Sequence, residues 1–231
     1  MSEPFAWNKS LFLFLNGSDS IYLDGVMWTL SQTVTWVPLM LLIAYILFKN
    51  FERQHVLLYL LAGALLIFAT DQLSAHVIKP YFGMWRPTHD PSLAGMVDVV
   101  SGYRGGLYGF LSSHAANTFA GAMYFALLFR SPNVSLSLFC YAILASYSRI
   151  YLGVHFPLDI FAGALFGLLM GLLVYLLVHF IQQRFMPART VFSSAYTSSG
   201  IQRMDCNVVV VTFALTLIYV LLRAIFYAVT L

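Results

Sequence analysis

Six long apolar segments, separated by short polar ones, constrain this sequence more than any other feature. Four are about as long as the roughly 20 residues that a helix needs to cross a bilayer, and the third and fourth are shorter. Only 9% of the 231 residues are charged, against about 25% in soluble proteins, which excludes a fully hydrated surface. Disorder is excluded as well, because it requires low hydrophobicity and high charge. The segments are Val26–Phe48, Val56–Ile78, Ser113–Phe129, Val134–Tyr147, Pro157–Ile181 and Val208–Leu231.

These segments predict an all-α membrane protein, because backbone groups in lipid must be hydrogen-bonded within the protein. We expect a six-transmembrane helical bundle that forms a single domain over residues 1–231. The segment 1–23 is too short to span and is predicted to form an interfacial helix that ends at the Asn16-Gly17 turn. Residues 24–181 form the core that carries the candidate site, and residues 182–231 a polar loop followed by the last transmembrane helix.

The distribution of cations predicts the orientation of the bundle. With six alternating spans, one set of cations lies on one side, and the other set is spread over longer loops on the opposite side. Cytoplasmic loops carry an excess of Lys and Arg, so the loop Lys79–Leu111 is expected outside the cytoplasm. The net charge of +3 is too small for a nucleic-acid footprint, and no nucleic-acid partner is predicted. The first set is Lys49, Arg53, Arg130, Arg184, Arg189 and Arg203; the second is Lys9, Lys79, Arg86, Arg104 and Arg149.

Three clusters of polar residues stand at the ends of the predicted spans, all on the second side. The first runs from Lys79 to Pro87, the second is Leu111-Ser112-Ser113-His114, and the third runs from Ser148 to Asp159. Lys79, Arg86 and Arg149 supply three positive charges, and two of these are guanidinium groups, which suit phosphate oxygens. The clusters therefore predict one shared anion site.

Helix starts and two histidines extend this prediction. Ser112 and Ser113 stand where a helix cap belongs and Pro157 where a first-turn proline belongs, so two helix N-termini would point N–H groups at the anion. Asp159 follows His155 by four residues and can hold one ring nitrogen, which leaves the other free to attack phosphorus. His114 is placed to protonate a leaving oxygen. No cluster of metal ligands accompanies them, so neither a metal nor a cofactor is predicted.

The order Lys-x6-Arg-Pro, Ser-x-His and Ser-Arg-x5-His-x3-Asp resembles the type 2 phosphatidic acid phosphatase superfamily, which also includes vanadium haloperoxidases. The matching motifs span Lys79–Asp159, and the third is complete. The second departs from the usual Pro-Ser-Gly-His, because Ser113 replaces the glycine. The resemblance implies that His155 forms a phosphohistidine, that Asp159 orients it and that His114 protonates the leaving group. It also implies a phosphate site made of Lys79, Arg86, Ser112, the Ser113 amide and Arg149.

The resemblance and the placement of the site at bilayer depth predict a metal-independent membrane lipid phosphatase, in the inner membrane of a bacterium with its site on the extracytoplasmic face. Undecaprenyl diphosphate is the favoured substrate, and lipid A, phosphatidylglycerol phosphate and phosphatidate remain open. One alternative is a non-enzymatic transporter or binding protein for lipid phosphates. Another is a haloperoxidase, against which the apolar spans argue. Considered individually, Lys79 and Arg86 would be interpreted as anchors at the membrane interface. The oligomeric state is left open.

Overall fold

The computed structural model describes residues 6–186 and 193–229, and most of these are helical. The prediction of an all-α protein is confirmed, since the described residues form isolated bridges but no strand. The cation Arg189 lies outside the described residues. A π-helix, Leu73–Ile78, joins α4 to α5. The helices are α1 (Ala6–Leu15), α2 (Ile21–Ser31), α3 (Thr33–Asn50), α4 (Arg53–Gln72), α5 (Lys79–Phe82), α6 (Ser113–Phe129), α7 (Pro132–Tyr151), α8 (Pro157–Phe185) and α9 (Arg203–Val229).

Five helical segments of the described chain are long and apolar enough to cross a membrane. They are α3, the continuous segment Arg53–Phe82, α7, α8 and α9. On α8 the exposed side chains include Leu165, Leu169 and Leu173, and a helix face this apolar needs lipid around it. The predicted third span forms α6, which has 17 residues and is shorter than these five. Five of the six predicted spans therefore correspond to helices of membrane-spanning length and composition, and the count of six stays a prediction.

The predicted first span is two helices rather than one, because the chain is extended at Gln32 (φ −81°, ψ 124°). A break of this kind leaves carbonyl groups without an intrahelical donor. The hydroxyl of Thr35 donates to the carbonyl oxygen of Thr29 at 2.7 Å. The indole N–H of Trp36 donates to the carbonyl oxygen of Leu30 at 3.0 Å. The carbonyl oxygen of Thr29 also accepts the N–H of Gln32 at 3.2 Å. Side chains of α3 thus add hydrogen bonds to the last carbonyl groups of α2 and tie the two helices together at the break.

Close packing between α6 and α8 sets the positions of the helices that carry the candidate site. Gly163, Gly167 and Gly171 stand four residues apart and lie on the side of α8 that faces α6. A Cβ atom built on Gly163 would lie 2.6 Å from the carbonyl oxygen of Ser112, and one on Gly167 would overlap that of Ala116. Small residues at this spacing let two helix backbones approach closely. The sequence analysis did not identify this contact.

The N-terminal segment forms the predicted helix, α1, which ends before the turn at Asn16. One face of α1 packs on the start of α8: the rings of Phe12 and Phe156 lie 5.3 Å apart, and Asn8 Oδ1 accepts the N–H of Leu158 at 3.0 Å. The side chain of Asn16 donates to the carbonyl oxygen of Tyr151 at 2.8 Å. The helix is confirmed, and its place at a membrane interface stays a prediction.

Candidate active site

The residues of the three polar clusters lie together at one end of the bundle. This is the end at which α6 and α8 begin and α7 ends. The backbone N–H of Ser112 donates to the carbonyl oxygen of Asp159 at 3.0 Å, so the two helix starts are directly joined. The turn between α7 and α8 carries His155 at the same end.

His155 is held by one partner on each ring nitrogen. Nδ1 lies 3.3 Å from Asp159 Oδ2, and Nε2 lies 3.2 Å from Nη1 of Arg86. A guanidinium can only donate, so Nε2 must be the acceptor and the proton of the neutral ring must be on Nδ1. Asp159 Oδ2 also accepts the N–H of Phe156 at 3.0 Å, which fixes the carboxylate. This arrangement directs the lone pair of Nε2 at the guanidinium group of Arg86.

The environment of His155 keeps its imidazole neutral. The side chain is 2% exposed, and burial lowers its pKa well below the usual value of 6.5. The nearby cations Arg86, Arg149 and Lys79 lower this pKa further, and the ring of His114 contributes in the same direction. A neutral imidazole retains the nucleophilic lone pair at physiological pH.

Arg86 is buried and is fixed by backbone carbonyl groups of two loops. Its Nε donates to Tyr108 at 3.2 Å and its Nη1 to Val154 at 3.1 Å. Gly105, at φ +66°, and Gly109 pack so closely here that a Cβ atom would lie 2.9 Å from Arg86 Nη1 and Asp159 Oδ2, respectively. These two glycines therefore make room for the side chains of two site residues.

Arg149 approaches the same centre from α7. Its Nη1 donates to the hydroxyl of Ser31 at 3.2 Å and its Nη2 to that of Tyr103 at 3.0 Å. Its Nε is buried and has no hydrogen-bond partner among the described residues. Burying a donor of this kind is costly unless a partner arrives, which fits an anion that binds here. Ser31 and Tyr103 were not predicted as site residues, because nothing in their local sequence connects them to an arginine more than 40 residues away.

Lys79 is held by a hydroxyl that the family motif usually lacks. Its Nζ donates to Ser113 Oγ at 2.6 Å, and Ser113 Oγ lies 2.8 Å from the hydroxyl of Ser74. Ser74 is fully buried and belongs to the π-helix before α5. Such π-helical segments occur often at functional sites. Ser74 thus contacts the same hydroxyl group that accepts the hydrogen bond of Lys79.

Ser112 caps α6, as predicted from its position. Its hydroxyl is fully buried and accepts the N–H of Ala115 at 3.3 Å. The next two N–H groups, of Ser113 and His114, lie in the first turn, where no intrahelical acceptor exists. A phosphate contact by the Ser112 hydroxyl stays a prediction.

His114 lies between the polar centre and an apolar cavity of about 550 Å³. The cavity is bounded by α3, α4, α6 and α7, and its wall includes Ile43, Leu60, Phe125 and Tyr141. From His114 to Phe125 the wall of α6 extends for about 16 Å, at the usual rise per residue. This is about half the hydrocarbon thickness of a bilayer. An apolar chain in the cavity would therefore have its polar end beside His114.

Three cations are concentrated in this centre without an ion pair. Among the described residues, Lys79, Arg86 and Arg149 make no ion pair with a carboxylate. Burial and the charge of Arg149 both lower the pKa of Arg86, which shows the mutual repulsion of the two guanidinium groups. Buried cations need a counter-charge, so the arrangement favours a multivalent anion. Among the described residues, no group of three or more His, Cys, Asp or Glu side chains could hold a metal ion.

Sequence comparison identifies related proteins. A sequence model of the PAP2 superfamily matches residues 56–183. The lipid A 4'-phosphatase of Bacteroides thetaiotaomicron is 40% identical over 69% of this chain and 72% of its own length. The lipid A 4'-phosphatase of Porphyromonas gingivalis is 35% identical over 79% of this chain and 74% of its own length. The undecaprenyl-diphosphatase of Sulfolobus acidocaldarius is more distant, at 29% identity over 71% of this chain and 75% of its own.

The comparison of structures agrees with the sequence matches. The crystal structure of Aquifex aeolicus LpxE superposes with a TM-score of 0.55 and is 30% identical in sequence. The match covers 75% of this chain and 98% of the Aquifex protein. The structural similarity therefore covers three quarters of this chain and nearly the whole of the Aquifex protein.

Proposed function

The chain belongs to the PAP2 superfamily of lipid phosphatases, and we propose that it removes a phosphate group from a lipid A-type glycolipid through a covalent phosphohistidine at His155. The observation that carries this proposal is the pairing of His155 with Asp159 on one nitrogen and Arg86 on the other. The unpaired cations around Nε2 provide the place for the phosphate. The bias of the cations toward the opposite side supports an extracytoplasmic site.

In the first step, the lone pair of His155 Nε2 attacks phosphorus, and the bond between phosphorus and the lipid oxygen breaks. His114 donates a proton to this oxygen, so the lipid leaves as an alcohol. The Nδ1 proton remains on the ring and is held by Asp159, which stabilises the positive charge that develops there. Arg86, Arg149 and Lys79 neutralise the phosphoryl oxygens, and electrostatic stabilisation of this kind dominates phosphoryl transfer.

In the second step, water attacks the phosphohistidine. His114, now neutral, takes a proton from the water, and the bond between phosphorus and Nε2 breaks. His155 regains its lone pair, and inorganic phosphate leaves. The first-turn N–H groups of Ser113 and His114 support the phosphate throughout, as helix N-termini do in other anion sites.

Two observations support a substrate with hydrocarbon chains. An apolar cavity lies beside His114, so a hydrocarbon chain can occupy an apolar environment while the phosphate is at His155. The relatives with 40% and 35% identity are lipid A 4'-phosphatases, and they outweigh the more distant undecaprenyl-diphosphatase at 29%. We therefore propose lipid A as the preferred substrate. The sequence analysis had favoured undecaprenyl diphosphate instead.

Assays with a panel of substrates test whether the enzyme prefers lipid A to undecaprenyl diphosphate. Purified protein in detergent is expected to release phosphate from lipid A with a kcat/KM at least about tenfold above that for undecaprenyl diphosphate or phosphatidate, a difference of roughly 1.4 kcal/mol in transition-state binding. Mass spectrometry of the products identifies which phosphate was removed. A higher kcat/KM for undecaprenyl diphosphate would contradict the substrate assignment and leave the phosphohistidine chemistry standing.

The hydroxyl of Ser113 gives a second prediction. Ser113→Ala removes the acceptor that holds the ammonium group of Lys79, and a hydrogen bond to a charged group contributes about 1.5–3 kcal/mol. We expect kcat/KM to fall by about 10- to 100-fold, chiefly through a higher KM. Ser113→Thr keeps a hydroxyl and serves as the matched control, with a smaller expected loss. Equal kinetic constants for wild type and Ser113→Ala would show that Lys79 does not depend on this contact.

A further inference from the structure

A second polar cavity lies at the bundle end opposite the candidate active site. It has a volume of about 330 Å³ and lies where α4 begins and where α6 and α8 end. The residues that matter for its chemistry are His55, Arg130, Tyr175, His179 and Gln183. Among the described residues, no carboxylate lines the cavity. Its lining can therefore donate hydrogen bonds and positive charge to a ligand, without an acidic group that would repel an anion.

His55 is the buried donor of this cavity. Its side chain is 6% exposed, and its ring lines the cavity. Among the described residues it makes no hydrogen bond, and its recorded contact is with the ring of Tyr59, at 6.3 Å between centroids. It is the third residue of α4, so the N–H groups of the first turn, which have no intrahelical acceptor, are nearby. Because the imidazole lines the cavity and makes no hydrogen bond to the described residues, its nitrogens are available to a ligand that binds there.

Arg130 supplies the permanent charge. It ends α6 in the left-handed conformation (φ 49°), a position that glycine commonly occupies. Its Nη2 donates to the hydroxyl of Tyr175 at 2.8 Å. The ring of His179 stacks on Tyr175 with centroids 5.9 Å apart, and His179 Nε2 lies 3.0 Å from Gln183 Nε2. One tyrosine thus holds both Arg130 and His179 against the cavity.

We propose that this cavity binds the phosphate group of an anionic phospholipid in the leaflet opposite the active site. A guanidinium group, an imidazole and free N–H groups at a helix start are the donors that phosphate oxygens prefer. The cavity lies at the ends of the helices, where lipid headgroups are found, and basic pockets between transmembrane helices bind such headgroups. Inorganic phosphate presents the same oxygens and is the other source of this ligand. The proposal is independent of the chemistry at the opposite end.

The test measures thermal unfolding of the full chain in detergent micelles. The micelles contain either phosphatidylglycerol or the zwitterionic phosphatidylcholine, and a third sample contains inorganic phosphate without added lipid. Phosphatidylglycerol is expected to raise the unfolding midpoint of the wild type by about 2–4 °C more than phosphatidylcholine does. Arg130→Gly removes the guanidinium and relieves the left-handed backbone, so it is expected to fold and to lose this gain. His55→Phe keeps the ring volume and provides a second variant.

The comparison with Arg130→Gly separates this cavity from the active site, because the variant leaves all active-site cations in place. A gain from phosphatidylglycerol that both variants lose supports the proposal. An equal gain from inorganic phosphate alone, also lost in both variants, supports the phosphate site and assigns it to the free ion. No gain in the wild type, or a gain that persists in both variants, overturns the proposal.

Discussion

Replacing His155 with alanine is expected to lower kcat for phosphate release from lipid A by at least about 10³-fold, because it removes the proposed nucleophile. The loss should appear in kcat rather than in KM, since Lys79, Arg86 and Arg149 still bind the phosphate. The variant also leaves a buried carboxylate without its partner. His155→Asn restores a polar side chain to Asp159 and should be as inactive as His155→Ala, which separates loss of the nucleophile from loss of local structure.

The matched control removes a different histidine at the same end of the bundle. His76 is exposed, lies in the π-helix and has no role in the proposed chemistry. His76→Ala is expected to keep kcat within about twofold of the wild type, since exposed positions tolerate such changes. Wild-type turnover by His155→Ala would instead favour a non-enzymatic lipid phosphate binder, with the activity of the preparation coming from a contaminating phosphatase.

Gly167→Ala is expected to lower the unfolding midpoint by more than about 5 °C. The added Cβ atom would overlap the carbonyl oxygen of Ala116, and this backbone atom of α6 cannot move aside unless the helix itself shifts. Overpacking of this kind costs about 1–3 kcal/mol or more. Because Asp159 is on α8 and His114 is on α6, separating these helices should also reduce activity. Thermal unfolding in detergent and phosphate release on the same preparation measure both effects.

Gly121→Ala is the matched control for the helix contact. Gly121 lies inside α6, and a Cβ atom there would meet only the Cδ1 atom of Ile67, at 3.8 Å. The same glycine-to-alanine change should leave the midpoint unchanged or raise it, because alanine is favoured in a helix by about 1 kcal/mol. Similar midpoints for Gly167→Ala and Gly121→Ala would contradict the close approach of α6 and α8.

The sequence carried enough information to predict the helices and the convergence of the motif residues. Apolar segments mark most of the helices, and Ser112 and Pro157 mark the starts of α6 and α8, because caps and first-turn prolines are local signals. The spacing of His155 and Asp159 also predicts their contact at the start of α8. The three glycines spaced four residues apart in α8, beginning with Gly163, are typical of a close helix contact, but this contact was not predicted.

Other parts of the structure have no local signal. The hydroxyl partners of Arg149 come from α2 and from the outer loop, so only the folded chain brings them together. The break at Gln32 is stabilised by the side chains of Thr35 and Trp36, which donate hydrogen bonds to carbonyl groups of α2. Ser113 was predicted to act through its backbone N–H group, whereas its hydroxyl holds Lys79, which depends on the three-dimensional position of the π-helix.

Trapping of the covalent intermediate tests the central claim most directly. The protein is mixed with lipid A that carries a radiolabelled phosphate and is then quenched in alkaline detergent, under which phosphohistidine survives and acyl phosphates do not. We predict label on the peptide that contains His155, at up to one phosphate per chain, and none in His155→Ala. Turnover of the labelled substrate with no label on the wild-type protein, or with label on any other side chain, would contradict the proposed mechanism.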